Sequence, residues 1–427
     1  MIKPWHIVVF AVAVLAALGL TIALTHPDGE PQSSEPSSTT TQPTLTRPTP
    51  PDDSPTQLRL YQCDPELAQV WQEIAADYTA RTGVVVTVIT PEAGADCRQT
   101  LTGLLAGDEA PTIFCLHGSS AGDLADSCLD LTGSAVAGEL IQDMFALKDG
   151  DATLGVAGSV ESYGIVYNSR LLARAGFTAT DIFSFESLRD VVENITANSK
   201  ALGFSAFATP DLTSTERGSQ LYLLSGLAQQ ENALLRALWD LYCANCATPA
   251  ANIGKASAET GVQDFQDGRA VFYLGGTWDY VNLNQIEDYN LGFLPIFSRD
   301  EENTGLRHTS VSYWCVNARA EAEQTAAALD FLHWLVTTQE DDPAPADALQ
   351  LLLPYRQTSY AGNPLQQQVL ASIMEQLQAV HWTQVEDVPE ATMLELGTAL
   401  GVYAAAPTDE NWAAVTAAIA RQLRTQQ

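Results

Sequence analysis

Residues 58–89 read LRLYQCDPELAQVWQEIAADYTARTGVVVTVI, and residues 112–116 read TIFCL. The first five residues carry a short strand pattern. Asp64 then offers an N-cap and Pro65 a first helical residue, the favoured pair for opening a helix. Leu67, Val70, Trp71, Ile74 and Tyr78 recur at helical spacing and make one apolar stripe. Gly83 ends that helix. The β-branched run 84–89 predicts a strand covered on both faces, because a half-solvated strand would alternate. A second helix over about 98–105 leads to the buried strand 112–116. Strand, helix, strand, helix, strand predicts a parallel, doubly wound sheet. Ligands of such sheets bind beyond the carboxyl ends of the strands, which puts Asp64 and the loop 117–120 at the mouth of a site.

Downstream the alternation restarts. Residues 155–167, GVAGSVESYGIVY, are glycine-punctuated and end in a strand. A helical unit begins at Leu171, and 185–196 is a further amphipathic helix. Residues 262–281 give a helix end, a turn at Gly268, a strand over 270–274, and then two glycines that present Trp278. Strands follow at 291–294, stopped by Pro295, and at 311–316. From Thr325 onward the pattern is mostly helical.

Upstream lies a different chemistry. Residues 7–24 are an 18-residue run without a charge, about 27 Å as a helix and just long enough to cross a bilayer core. Lys3 precedes it, so the positive-inside rule keeps the N-terminus cytoplasmic. The segment 1–26 is an uncleaved anchor or a cleaved signal, with Ala23-Leu24-Thr25 as a weak cleavage site. Both readings export the remainder. Residues 27–57 hold eight Pro and twelve Ser or Thr, with Leu45 the single branched aliphatic. Such a stretch cannot bury enough apolar area to offset its ordering entropy and reads as a disordered tether.

Of 427 residues, 52 are acidic and 20 basic, a net charge of -32 that repels phosphate backbones and excludes nucleic acid as a partner. Hydrophobic residues make up 46%, enough for a large core. Seven cysteines, at 63, 97, 115, 128, 243, 246 and 315, leave at least one thiol without a partner inside the chain. Cys243 and Cys246 form a C-x-x-C with no second half-site, so a local disulfide or plain thiols fit better than zinc. Cys63, Cys97, Cys115 and Cys128 fall in one stretch that has room for a bridge of undetermined connectivity.

Three segments resemble one family. PTIFCLHGSSAGDLADSCLDLT (111–132), YGIVYNSRLLARAGF (163–177) and FQDGRAVFYLGGTW (265–278) are similar, in this order and spacing, to motifs of the extracellular solute-binding proteins of ABC importers. The group is the carbohydrate-binding family 1, maltose-binding-protein-like. With the helix at 326–337, the likeness covers nearly all of 58–427. It implies a type II periplasmic-binding-protein-like fold with two α/β lobes, each a doubly wound sheet, closing on ligand like a hinged clamp. The N-lobe would comprise 58–164 plus about 315–350, and the C-lobe about 168–310 plus 355–427. Chain crossovers would lie at 164–168, at 311–316 and near 353–356. It further implies capture of a small-molecule solute, a sugar or oligosaccharide, and delivery to ABC permease subunits. The body would stand on the extracellular face of the membrane, held by the N-terminal helix or secreted after cleavage. The family's usual lipidated Cys is absent, and an anchor helix would substitute for it.

A sugar presents an apolar C–H face and a rim of hydroxyls, which aromatic rings and carboxylates recognise. Trp278 leads the candidates, because two glycines and the family motif present it. Tyr163 and Glu161 precede the first crossover. Tyr313 and Trp314 alternate on the second, so one of them, Trp314, would face ligand. Tyr355 lies at the third, Asp279 adjoins Trp278, and His117 ends a strand. Asp64 serves as ligand contact or as helix cap.

No cofactor motif and no metal-ligand spacing appears among the six His. Gly118 to Gly122 match G-x-S-x-G, but Ser120 stands four residues past the strand, and no oxyanion loop precedes it. A binding protein rather than an enzyme is therefore expected. A ligand sensor or adhesin on the same scaffold, a non-sugar solute, and a hydrolase using Ser120 are the alternatives.

Overall fold

The computed structural model describes residues 55–117, 121–214, 218–219, 232–283, 291–297, 306–338, 342–359, 363–375 and 390–425. The apolar run 7–24, most of the Pro/Ser/Thr-rich segment, and Gly118, Ser119 and Ser120 lie outside these residues. Among the described residues no helix is long and apolar enough to cross a membrane.

The opening module forms as its sequence predicts. Strand β1 (Gln57–Tyr61) leads to Asp64, whose carboxylate accepts the Glu66 N–H (2.9 Å) and caps the turn Pro65–Leu67. Helix α1 (Ala68–Thr82) buries Trp71, Ile74, Ala75 and Tyr78 and stops at Gly83, whose φ of 79° is the left-handed C-terminal cap. Strand β2 (Val85–Ile89), helix α2 (Cys97–Leu105, capped by Asp96) and strand β3 (Ile113–His117) follow. β1 pairs in parallel with β2 and with β3. One expectation fails here. β2 is the sheet's edge strand, with Thr87 exposed, so its β-branched run does not mark burial on both faces.

After the short strand β4 (Ala146–Asp149), the glycine-punctuated tract becomes one strand of 17 residues, β5 (Ala152–Asn168). Asn168 ends it by capping helix α3 (Ser169–Arg174), and Ser184 caps helix α4 (Phe185–Leu202). Strand β6 (Ser205–Phe207), helices α5 (Asn232–Asn245) and α6 (Ala258–Gln266), and strands β7 (Ala270–Gly276) and β8 (Leu291–Leu294) complete the second module. β6 and β7 are parallel. Strand β9 (Arg307–Val316) precedes helices α7 (Ala322–Val336), α8 (Pro364–Glu375), α9 (Glu390–Ala405) and α10 (Asp409–Thr425).

The sheet order is β2-β1-β3-β9-β5-β7-β6, with β4 and β8 also paired to β5. Parallel pairing therefore holds inside each module, and β5 and β9 stitch the modules through antiparallel ladders. Val156 on β5 pairs with β4 and β9 at once, whereas Ile165 pairs with β7 and β8. One strand thus serves both modules with its two halves. Two register shifts at 157–160 let it bend between them.

The buried side chains follow this division. One core draws on residues from Tyr163 to Phe297 and from Met393 to Ile419. A second gathers α1, α7, β1 and β9, and extends to Phe265, Leu291 and Phe293 of the second module. A third lies on the opposite face of the first module, between α2 and the sheet.

Candidate ligand-binding site

At the end of β7, Gly275 and Gly276 run into the turn Thr277–Asp279. Asp279 accepts the Gly276 N–H (2.9 Å), and Ser162 of β5 donates its N–H to Thr277 Oγ1 (3.3 Å), so the turn is fixed to the neighbouring strand. A Cβ on Gly276 would stand 2.3 Å from the Trp278 ring, and one on Gly275 would meet the Asp279 carboxylate at 2.3 Å. Both glycines therefore leave the space that the next side chains fill. The Trp278 indole, partly exposed, stacks on the Tyr163 ring (centroids 5.9 Å, interplanar angle 15°). Tyr163 is buried at the crossing of three strands, opposite Gly276 on β7 and Arg307 on β9. Glu161, two residues earlier on the same side of β5, remains partly exposed.

Asp279 is mostly buried and also accepts from the Tyr273 hydroxyl. Burial first, and the Asp279 carboxylate second, push the Tyr273 phenol well above its ordinary range. Tyr273 was not among the residues singled out from sequence; its position two residues before the glycine pair was the available signal. Asp279 thus holds the turn that carries Trp278.

A second group stands at the carboxyl ends of β1 and β3. Asp64 is exposed and caps its helix, as the alternative reading of that residue has it. His117 ends β3 opposite Ser312 of β9, and the Ser312 and Ser159 hydroxyls meet at 2.8 Å, which continues a polar row to β5. The disulfide Cys63–Cys97 joins the loop after β1 to the start of α2. Around it the Tyr61 hydroxyl donates to Cys97 O (2.9 Å) and Gln62 Nε2 to Thr90 Oγ1 (2.6 Å). Burial, helped by the nearby Cys115 and Asp96, pushes the Tyr61 phenol up to about 12.

Trp314 and Tyr355 sit elsewhere. Their rings stack (6.2 Å, 7°), and Trp71 meets Trp314 edge-on (5.8 Å, 85°), with both residues at 3% exposure or less. The Tyr355 hydroxyl donates to Ala157 O (2.6 Å). The structure places both in the core. β9 runs between β3 and β5 with both faces covered, so neither Tyr313 nor Trp314 reaches solvent.

A cavity of about 500 Å³ opens at the amino ends of β1 and β3, lined by Gln57, Arg59, Asp108, Thr112, Asn317 and Arg319 among others. None of the expected site residues lines it, and it lies at the end of the sheet opposite to where α/β folds take ligands. Among the described residues no group of three His, Cys, Asp or Glu side chains has the arrangement to hold a metal ion. The Trp278 indole offers one aromatic face, with the Asp279 carboxylate buried in the turn that holds it.

Residues 73–372 match the family model described as bacterial extracellular solute-binding protein. No curated protein matches the sequence. Among solved structures, a family 1 extracellular solute-binding protein from Bifidobacterium longum subsp. infantis superposes with a TM-score of 0.65 at 20% identity, over 87% of this chain and 99% of that one. RafE from Streptococcus pneumoniae gives 0.67 at 16% identity, over 86% and 97%. The sugar-binding protein MalE from Xanthomonas citri gives 0.64 at 18%, over 86% and 96%. These likenesses establish a mixed α/β fold of the periplasmic-binding-protein kind. With the model spanning most of the body, the chain belongs to the bacterial extracellular solute-binding protein family.

Proposed function

We propose that this chain is the substrate-binding component of an ABC importer for a sugar or oligosaccharide. Two lobes, 58–164 plus about 315–350 and about 168–310 plus 355–427, would close on the ligand about the β5 and β9 crossings. The closed form would then dock on permease subunits. The N-terminal segment would hold the body at the extracellular face of the membrane, or leave it secreted after cleavage. The role is binding without turnover.

One observation carries this reading: the partly exposed Trp278 indole, set on Tyr163 and fixed by the Gly275–Asp279 turn, with Glu161 on the Tyr163 side of β5. The indole covers a sugar's C–H face. Glu161 accepts from hydroxyls, each such bond to a charged acceptor contributing about 1.5–3 kcal/mol. His117 and Asp64, at the carboxyl ends of β3 and β1, would meet the ligand from the other lobe. Asp279, Tyr163, Trp314 and Tyr355 would act from behind, as support. The raffinose complex of RafE and the acarbose complex of GacH from Streptomyces glaucescens support a carbohydrate, since both proteins share this fold. Closure follows if ligand contacts both lobes, because only differential affinity shifts populations.

A thermal-shift screen of the purified protein against mono- and oligosaccharides tests the ligand class. Saturation at about 100 times the dissociation constant adds about 2.7 kcal/mol of stability. Calorimetric titration of Trp278→Ala with the hit tests the site. Affinity is expected to fall by about tenfold or more, about 1.4 kcal/mol, with the melting temperature retained. Unchanged affinity in that variant removes Trp278 from the site, and a shift only with peptides or other solutes discards carbohydrate.

A further inference from the structure

The cysteines outside the Cys63–Cys97 bridge are not scattered. Cys128 follows the turn Ala125–Ser127 and forms an antiparallel bridge with Asn317. Leu129 donates its N–H to Val316 O (2.8 Å), and Ala318 to Ser127 O (2.9 Å), so this segment lies against the end of β9. Cys315, two residues before Asn317, is fully buried. Cys128 and Cys315 belong to one apolar cluster with Tyr61, Phe114, Leu116 and Tyr313. Within it the Cys128 thiol donates to Leu124 O (3.4 Å), and the two thiols are close enough to shift each other's titration. Cys115 belongs to the opposite face: in the β3–β9 ladder Cys315 faces Phe114, whereas Cys115 faces Trp314 and packs in the other core. Alternation along β3 therefore puts the Cys115 side chain on the other face of the sheet from this pair.

We infer that Cys128 and Cys315 are oxidised to a second disulfide in the exported protein, strapping the segment that follows β3 to β9. The chain already carries one bridge at the same end of the first module, and an extracellular or periplasmic location permits another. The exchange starts at the Cys128 thiolate, on the segment that precedes β9 in the chain. That thiolate attacks the disulfide of an extracytoplasmic thiol oxidase and gives a mixed disulfide. The Cys315 sulfur then displaces the oxidase sulfur and forms the Cys128–Cys315 bond. The oxidase leaves as a dithiol, having taken up two electrons and two protons. Because Cys315 has no exposure in the folded body, the exchange precedes the final docking of β9. The product closes about half of the body, residues 128–315, into one covalent loop. It also anchors the strand whose far end pairs with Tyr163.

The full-length protein, recovered from a host that exports it, is denatured without reductant in N-ethylmaleimide and digested with a protease that cleaves before Asp. Cleavage at Asp123 and Asp126 separates Cys115 from Cys128. The expected product is a peptide pair linked through Cys128 and Cys315, lost on reduction. Recovery of both cysteines as maleimide adducts, or of either one linked to a different cysteine, overturns the inference. The double variant Cys128→Ser/Cys315→Ser is expected to melt about 5 °C or more below the parent, with the gap closing in reductant. If that variant does not accumulate, the peptide map of the parent still decides. Neither readout depends on what ligand the protein binds, so a failure here is separable from a failure of the carbohydrate reading.

Discussion

Two glycines each lie under a tryptophan, and their surroundings separate the roles of the two rings. A methyl on Gly158 would meet Trp314 Nε1 at 2.9 Å and Ser312 Oγ at 3.0 Å. That ring is held by Trp71 and Tyr355 and has nowhere to go. Gly158→Ala is therefore expected to cost about 1–3 kcal/mol, the usual range for overpacking, with ligand affinity nearly unchanged. A methyl on Gly276 would meet the Trp278 ring at 2.3–2.5 Å, but that ring is partly exposed and can swing outward. Gly276→Ala should leave stability within about 1 kcal/mol and weaken ligand binding several-fold, because it reorients the platform. Paired denaturation curves and ligand titrations read both effects, and the reverse pattern would contradict the division of roles. The sequence could not make this distinction. Strand alternation says that Tyr313 and Trp314 face opposite ways, but says nothing of whether either side is open.

At the scale of elements, local signals were legible and non-local approaches were not. Asp64, Asp96, Ser184 and the left-handed Gly83 and Gly203 bound their helices where cap chemistry puts them. The run 84–89 misled, because β-branched residues report strand geometry, while burial depends on neighbours that sequence spacing does not encode. The same limit hid a helix crossing. α9 passes the turn Ala250–Lys255 so closely that a Cβ on Gly401 would stand 2.8 Å from the Gly254 Cα. The obstacle is backbone, which cannot rotate aside. Gly401→Ala is expected to destabilise by about 1–3 kcal/mol even though alanine favours helices, and denaturant unfolding would measure it. A stabilised variant would mean that the two segments separate at no cost. Helix α8 guards an edge in a comparable non-local way: Gln368 accepts the Phe293 N–H (2.9 Å) and donates to Leu291 O (3.4 Å), meeting β8 as a strand would.

For the molecule as a whole, the first β-α-β module could be read from the sequence because β1, β2 and β3 all lie within residues 57–117. The antiparallel stitch of β5 and β9 joins residues some 150 apart in sequence, and no local pattern announces it. That architecture buries tyrosines throughout both modules, and their ionisation gives the assembled body a pH limit. Burial raises the Tyr61 phenol to about 12, and drives those of Tyr242 and Tyr273 well above their ordinary range. In the unfolded chain the same groups lose their protons near pH 10. Between about pH 10 and the folded values, the unfolded state binds fewer protons than the folded one, so stability falls as pH rises. The contribution is complete below about pH 10 and is lost above it. Burial also raises Cys246, to about 12, so in thiol form it would extend the decline to somewhat lower pH. A net charge of -32 works in the same direction, because each added phenolate enlarges the self-repulsion. The melting temperature is expected to hold through the neutral range and drop steeply above about pH 10. Of the 13 tyrosines, the share of phenolate absorbance that belongs to Tyr61, Tyr242 and Tyr273 should appear only with the loss of structure. If all the phenols titrate near pH 10 while the fold persists, these three rings are hydrated and their packing does not hold in solution.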